Sequence, residues 1–209
     1  MKVKIITSSR AYEEMFTDRG WEIVYTIEEA DLVQFTGGED VSPVLYGEGM
    51  HHTTYSSAER DLYETRMYLK CLATNTPMTG ICRGGQFLNV MNGGRLYQDV
   101  DGHAIFGSHP AITYPSGKVV LVTSTHHQMM RAGDDGEIMA YAQESSFRET
   151  DTVYDDRDDH EDTEVVLYRK NKVLCFQPHP EIDSARKECV DYYFELLEEI
   201  LDGYDSKKA

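Results

Sequence analysis

The fold is decided by the stretch Thr79-Gly80-Ile81-Cys82-Arg83-Gly84-Gly85-Gln86. The apolar run Pro77–Ile81 predicts a strand before the cysteine, and the pattern of Gly84–Asn92 predicts a helix after it. A strand, a G-x-C-x-G-G turn and a helix in this order are typical of a nucleophile elbow, in which glycines tolerate the crowding around a sharp turn. Such an elbow places Cys82 at a helix N-terminus, where unpaired N–H groups and the helix dipole favour the thiolate. A buried cysteine beside an ordinary glycine turn is the alternative interpretation.

A nucleophilic cysteine needs a base, and one of the eight histidines lies in a context suited to that role. The apolar run Val173–Gln177 predicts a buried strand that delivers Pro178-His179-Pro180-Glu181 at its end. The two prolines stiffen the backbone around His179 and end the strand. Glu181 follows closely enough to orient the imidazole, which predicts a triad of Cys82, His179 and Glu181. A plain loop at the end of a strand is the alternative.

Outside these two segments, short apolar runs alternate with helical patterns, which indicates a βα architecture in the first half of the chain. The strands predicted there are Val3–Thr7, Trp21–Tyr25 and Asp31–Thr36, and the helices are Arg10–Arg19 and Ser57–Asn75. The second half predicts antiparallel strands over Lys118–Thr123, Glu137–Ala142, Glu164–Arg169 and Lys172–Phe176, with a turn at Asn171 in which this residue takes a positive φ. A last helix is predicted over Asp183–Asp202, because its apolar residues repeat at three- and four-residue spacing.

The length and the charge of the chain exclude several functional classes. Its 209 residues suit one domain, predicted over residues 1–204 with a disordered tail over 205–209. With 20 Lys and Arg against 37 Asp and Glu, the net charge is −17, so direct binding to nucleic acid or to an anionic membrane is not expected. No run approaches the roughly 18 apolar residues of a membrane helix, and the N-terminus does not resemble an export signal.

Three further groups of residues bear on the cellular compartment of the protein and on metal binding. They are the cysteines, the acidic run and the remaining histidines. The four cysteines are scattered without a C-x-x-C pair, which predicts free thiols in a reducing cytoplasm. The acidic run Glu149–Asp162 lacks the central glycine of a calcium loop and is interpreted as a solvated loop. The adjacent residues of His51-His52 and of His126-His127 point in different directions, and no nearby Cys or Asp completes a site, so the sequence predicts no metal and no cofactor.

Four blocks of sequence, taken together, carry a family resemblance. They are Phe35–Glu48, Gly80–Gly94, Ser124–Gln128 and Gln177–Glu181, in this order. The set resembles the class I glutamine amidotransferases, and within that superfamily it is most similar to the gamma-glutamyl hydrolase branch, which includes gamma-glutamyl-GABA hydrolase. Two residues depart from the pattern. Thr36 stands where the family usually has proline, and Pro178 stands where an aromatic residue often precedes the catalytic histidine.

The resemblance implies a flavodoxin-like α/β fold, with a mostly parallel central sheet flanked by helices and an antiparallel extension. It also implies cleavage of a gamma-glutamyl amide, with Cys82 as nucleophile, His179 as general base and acid, and Glu181 as the partner of the histidine. The backbone N–H groups of Gly38 and Arg83 would form the oxyanion hole. This assignment is physically reasonable, because the residue after an elbow nucleophile points its N–H into the site and a glycine permits close approach.

The resemblance further implies residues that bind the glutamyl part of the substrate. Gln86, one helical turn after the nucleophile, would face the glutamyl group. The segment His126-His127-Gln128 would help to hold the amino-acid end, partly through its backbone.

Three functions remain open at this point. The first is a stand-alone hydrolase of glutamine or of a gamma-glutamyl amine or peptide, favoured by the resemblance of Arg83-Gly84-Gly85 to the hydrolase branch. The second is a glutaminase subunit that supplies ammonia to a separate synthetase or ligase, favoured by the short chain. The third is a catalytically silent regulatory subunit that binds a glutamyl group, which the intact triad disfavours.

Overall fold

In a computed structural model, which describes residues 1–142, 148–149, 154–155 and 162–202, a mixed sheet of eleven strands runs through the fold. The strands are β1 Lys2–Ile6, β2 Glu22–Val24, β3 Leu32–Phe35, β4 Met78–Ile81, β5 Arg95–Tyr97, β6 Asp99–Val100, β7 Ala104–Thr113, β8 Val119–Thr125, β9 Met129–Arg131, β10 Glu137–Ala142, β11 Arg148–Glu149, β12 Tyr154–Asp155, β13 Thr163–Tyr168 and β14 Val173–Phe176. The helices are α1 Arg10–Thr17, α2 Ala58–Ala73, α3 Arg83–Met91 and α4 Lys187–Leu201, with 3-10 turns at Pro43–Tyr46 and Arg169–Asn171. Strands β6, β11 and β12 form a separate small sheet.

The main sheet changes from parallel to antiparallel at β14. Its order is β2-β1-β3-β4-β14-β13-β10-β7-β8, in which the first five strands are parallel neighbours and the remaining pairs are antiparallel. Helices α1 and α4 pack on one apolar cluster of the core, and α2 and α3 pack on a second. This architecture confirms the predicted α/β fold.

The carboxyl ends of three parallel strands lie side by side. Phe35 of β3 pairs with Gly80 of β4, and Ile81 of β4 pairs with Phe176 of β14. Residues that directly follow these strands therefore meet at one edge of the sheet, where α/β folds commonly bind their ligands.

Helix α2 buries an acidic face. Ser57 caps it by accepting a hydrogen bond from the backbone N–H of Arg60 at 3.3 Å. Leu62 and Leu69 are more than half exposed, whereas Asp61 and Glu64 are buried. The two leucines of α2 thus face solvent, because Asp61 and Glu64 on the opposite face bind a cation in the interior.

That partner is Arg83, whose side chain is fully buried. Its Nη2 donates to Asp61 Oδ1 at 2.6 Å, its Nη1 pairs with Glu64, and its Nε donates to the carbonyl of Glu39 at 3.0 Å. Burial and the nearby Arg60 lower the pKa of Arg83 to about 10, while Asp61 and Glu39 raise it, so the guanidinium stays charged at neutral pH. The start of α3 is therefore fixed to α2 by paired charges.

Several local expectations are wrong or incomplete. The positive φ in the turn after β13 belongs to Lys172 (54°) rather than to Asn171. Helix α4 begins at Lys187 instead of Asp183, because Arg186 is extended. Strand β7 was not predicted, since its glycine and proline interrupt the apolar alternation.

The acidic run and the tail lie largely beyond the described residues. Of Glu149–Asp162, the structure describes only residues 149, 154, 155 and 162, and residues 205–209 are not described. At Asp162 the solvated interpretation is wrong, because this residue is fully buried and bonds to His103. None of the helices in the described part of the chain combines the length and hydrophobicity needed to cross a bilayer.

The buried ion pair predicts a large effect of Arg83→Met on stability. Asp61 would remain buried without a cation and Glu64 would retain only Arg60, so we expect the free energy of unfolding to fall by about 3–5 kcal/mol in chemical denaturation. Arg10→Met is the control, because Arg10 pairs with Glu14 on the surface and its loss should have a much smaller effect. Equal losses in the two variants would contradict the prediction.

Candidate active site

The elbow at Cys82 is present in the structure. Cys82 lies between β4 and α3 with φ 50° and ψ −116°, a backbone conformation that is uncommon for a residue other than glycine. Its N–H donates to the carbonyl of Phe176 at 2.8 Å, which ties the turn to β14. The strained turn is maintained by its surroundings, as is typical of functional sites.

The glycines of the elbow allow α3 to pack directly on the sheet. A Cβ atom on Gly80 would overlap the backbone of Gly84, and one on Gly84 would overlap the carbonyl of Phe35. The glycines of the G-x-C-x-G-G motif are therefore needed because the backbone of α3 lies in direct contact with the backbones of β3 and β4.

His179 is held between Cys82 and Glu181. Its Nδ1 donates to Glu181 Oε1 at 2.6 Å, and its interaction with the side chain of Cys82 raises the pKa of the ring. Its backbone N–H donates to the hydroxyl of Thr123 at 2.6 Å, so β8 helps to position the segment. The three residues predicted as a triad are thus brought together.

The charge of this group is set by its neighbours. Burial alone would lower the pKa of His179, but the hydrogen bond and charge of Cys82, together with Glu181, raise it to about 10. With its pKa raised in this way, the imidazole of His179 carries a proton at neutral pH.

The loop after β3 brings Gly37 next to the triad, because a Cβ atom on Gly37 would lie 3.0 Å from Cε1 of His179 and 3.6 Å from Cβ of Cys82. The N–H of Gly37 donates to the hydroxyl of Tyr12 at 2.9 Å, whereas the N–H of Gly38 donates to none of the described residues. The carbonyl groups of Thr36 and Gly37 accept from Nη2 of Arg60 at 2.9 and 3.0 Å. Of these two glycines, Gly38 is therefore the one whose backbone N–H has no acceptor among the described residues.

The four predicted substrate-binding side chains are distributed around the site. Gln86 is buried, and its Nε2 donates to the carbonyl of Gln128 and to Oε1 of Gln177, both at 3.1 Å. Gln128 is buried too, and its Nε2 donates to the hydroxyl of Thr54 at 3.2 Å. The side-chain amides of Gln86 and Gln128 therefore donate their hydrogen bonds to groups inside the protein rather than to solvent.

The two histidines of this group have separate environments. His127 is partly exposed between Asp40 and Asp99, and its hydrogen bond to Asp40 is the largest of the interactions that raise its pKa. His126 is buried and faces a different cluster, which contains Glu164.

Tyr12 was not predicted from the sequence. This residue of α1 is buried, and burial together with the charges of Glu181 and Cys82 raises the pKa of its hydroxyl, which stays protonated. It accepts from Gly37 and can donate towards Glu181, so it links the glycine loop to the triad. Its position in the sequence offers no signal, because no motif surrounds it.

With this geometry established, comparison with known proteins gives the family. A model of the family described as peptidase C26 matches residues 16–181 of the chain. The chain belongs to the peptidase C26 family. The matched region contains the elbow and the whole triad, and the predicted resemblance to class I glutamine amidotransferases is confirmed. Membership of the gamma-glutamyl hydrolase branch stays a prediction.

Curated relatives match this peptidase C26 chain over about a third of its length. It is 41% identical to NtpR of Enterococcus hirae over 75 residues, which are 35% of this chain and 31% of that protein. It is 46% identical to the glutamine amidotransferase-like protein YvdE homolog of Lactococcus lactis subsp. cremoris over 71 residues, which are 34% of this chain and 38% of the relative. The chain thus matches about a third of the length of these curated relatives.

Solved structures match the peptidase C26 fold over nearly its whole length. PurLQS from Thermotoga maritima gives a TM-score of 0.65 at 15% identity, covering 98% of both chains. A protein from Thermoplasma acidophilum, described as belonging to a GMP synthase, gives 0.63 at 14% identity, covering 98% of this chain and 95% of that one. A glutamine amidotransferase from Thermotoga maritima gives 0.61 at 16% identity, covering 99% and 87%. At these identities the similarity is one of fold.

The pairing of His179 with Cys82 predicts the effect of Cys82→Ala on titration. The substitution removes the largest interaction that raises the pKa of His179, so this pKa should fall below its wild-type value of about 10. The imidazolium would then lose its proton at lower pH, as followed by NMR of the ring resonances. His127, whose pKa is raised mainly by Asp40, is the internal control and should not shift. An unchanged pKa of His179 would contradict the pairing.

Proposed function

We propose that this protein is a cysteine-dependent hydrolase of a gamma-glutamyl amide bond. The observation that supports this function is the position of Cys82 at the elbow beside His179, which is itself bonded to Glu181, with the glycine loop at Gly37 against both Cys82 and His179. The substrate would be glutamine, a gamma-glutamyl amine or a gamma-glutamyl peptide. The products would be glutamate and ammonia or the corresponding amine.

The reaction proceeds by acyl transfer. The thiolate of Cys82 attacks the gamma-carbonyl carbon, and the N–H groups of Gly38 and Arg83 stabilise the negative charge that develops on its oxygen. His179 gives its proton to the departing amine as the carbon–nitrogen bond breaks, leaving a gamma-glutamyl thioester. A water molecule then attacks the thioester, His179 accepts its proton, and glutamate leaves with the thiolate restored. Glu181 orients the imidazole in both steps.

A second candidate is a glutaminase subunit that delivers ammonia to a separate synthetase or ligase. The observation that favours it is the near-complete overlap with PurLQS and with the structure described as part of a GMP synthase. The two candidates share the thioester and differ in whether a partner protein is required. A silent regulatory subunit is disfavoured, because each member of the triad is present and bonded.

An assay on the purified chain distinguishes these candidates. It measures glutamate and ammonia or amine from glutamine, from gamma-glutamyl amines and from a gamma-glutamyl peptide, with Cys82→Ala as the matched control. We expect turnover of a gamma-glutamyl amide by the wild type alone, a gamma-glutamyl adduct on Cys82 in mass spectrometry, and neither in the variant. Glutamine turnover that requires a co-purifying protein would support the ammonia-supplying subunit. No turnover and no adduct with any substrate would overturn both enzymatic proposals.

The oxyanion assignment predicts a strong effect of Gly38→Ala. A Cβ atom at Gly38 would overlap the guanidinium of Arg60, and its φ of +145° is unfavourable for alanine. The amide would move, so we expect kcat to fall by about 100-fold or more, the size of effect seen when one oxyanion donor is lost. Gly47→Ala is the control, since Gly47 also has a positive φ (+77°) but open space around it. Equal activity in the two variants would show that Gly38 is not a donor.

A further inference from the structure

A second cluster of titratable side chains lies in the interior, in the antiparallel half of the sheet. It consists of His103, His109, His126 and Glu164, whose nearest nitrogen and oxygen atoms all lie within 4.8 Å of one another. Oε1 of Glu164 is 3.1 Å from Nε2 of His109, 3.4 Å from Nδ1 of His103 and 3.9 Å from Nε2 of His126. The proposed hydrolase reaction uses none of these contacts.

The remote nitrogen of each ring faces a hydrogen-bond acceptor. Nε2 of His103 lies 2.9 Å from a carboxylate oxygen of Asp162, and Nδ1 of His126 lies 2.9 Å from the carbonyl of Gln128. Nδ1 of His109 lies 3.3 Å from the carbonyl of Pro110. An acceptor at one nitrogen places the ring proton there, so the lone pair of the other nitrogen points into the cluster.

Two of the atoms in the cluster lack a partner. Nε2 of His126 and Oε2 of Glu164 are buried without a hydrogen-bond partner, whereas Oε1 of Glu164 lies 3.1 Å from Nε2 of His109. Nδ1 of His103 is 3.4 Å from the hydroxyl of Ser124, which itself donates to the carbonyl of His103 at 2.6 Å. Lone pairs and a carboxylate that face one another in a dry interior repel, and a cation between them would remove that repulsion.

We propose that His103, His109, His126 and Glu164 form a site for one divalent transition-metal ion, with zinc the ion that the site fits best. Three imidazole nitrogens and one carboxylate oxygen are a donor set that zinc accepts. Zinc–ligand distances of about 2.0–2.1 Å in a tetrahedron place the ligand atoms about 3.3 Å apart. The distances from Glu164 Oε1 to the three ring nitrogens, 3.1, 3.4 and 3.9 Å, lie around this value, and no pair of ligand atoms is more than 4.8 Å apart. The two buried carboxylates, Glu164 and Asp162, balance the charge of a divalent ion.

The location gives the site a structural role. Its ligands come from the segment before β7, from β7 itself, from the residue after β8 and from β13. Four protein ligands leave no open position, which is characteristic of structural zinc sites. The backbone N–H of Gln177 donates to the carbonyl of Glu164 at 2.8 Å, so a metal ion would also support the segment that leads to His179. The sequence analysis missed the site because these ligands are far apart in the chain.

Metal titration of the full chain tests the proposal. The chain is stripped with a chelator and titrated with Zn²⁺ and with Co²⁺, whose visible spectrum reports tetrahedral geometry. We expect one ion per chain and a higher Tm with metal in the wild type. Glu164→Gln and His109→Gln should lose stoichiometric binding and the rise in Tm. His52→Gln should keep both, because His52 is exposed and lies outside the cluster.

A measurement on the wild type keeps the test independent of how the variants fold. X-ray absorption of the zinc-loaded chain should show nitrogen and oxygen ligands only, with the histidine signature. Sulfur in the first shell would place the ion at a cysteine and overturn the proposal. No stoichiometric binding, or equal binding in Glu164→Gln and His109→Gln, would overturn it as well. In that case the cluster would be held by a protonated histidine paired with Glu164.

Discussion

The site depends on the buried ion pair between Arg83 and the acidic face of α2. A buried charge is stable only where oppositely charged or hydrogen-bonding partners surround it, so these partners hold the guanidinium of Arg83 in one position. Because Arg83 directly follows the nucleophile, this position also fixes the direction of the backbone at the start of α3. Arg60 of α2 extends the network, since it pairs with Glu64 and holds the carbonyl groups of Thr36 and Gly37. One set of charges thus positions both backbone amides assigned to the oxyanion hole.

The triad and the glycine loop are joined by neutral contacts as well. Tyr12 bonds to Gly37 from α1, and Thr123 bonds to the backbone of His179 from β8. Elements from both halves of the sheet therefore contribute to a site formed mainly at the ends of parallel strands. In the proposed reaction, the reacting groups are held by packed elements, so little reorganisation is needed when charge develops on the substrate.

The sequence predicted the elements whose signal is local. The elbow, the base-bearing strand end and most helix and strand bounds follow from spacing within a few residues. Long-range pairings were not predictable. The partners of Arg83 lie 19 and 22 residues away on α2, where leucines suggest a different buried face. Strand β7 was hidden by its glycine and proline, and the histidine–glutamate cluster draws on separate segments that only the folded sheet brings together.

The interior position of α3 has a consequence for how such an enzyme diversifies. Every residue from Arg83 to Val90 is buried, so the helix behind the nucleophile has no surface at which substitutions accumulate freely. In the proposed hydrolase, changes in the choice of leaving group must then arise in segments outside this helix. The partly exposed His127 lies in such a segment. The helix can thus stay constant while other segments vary.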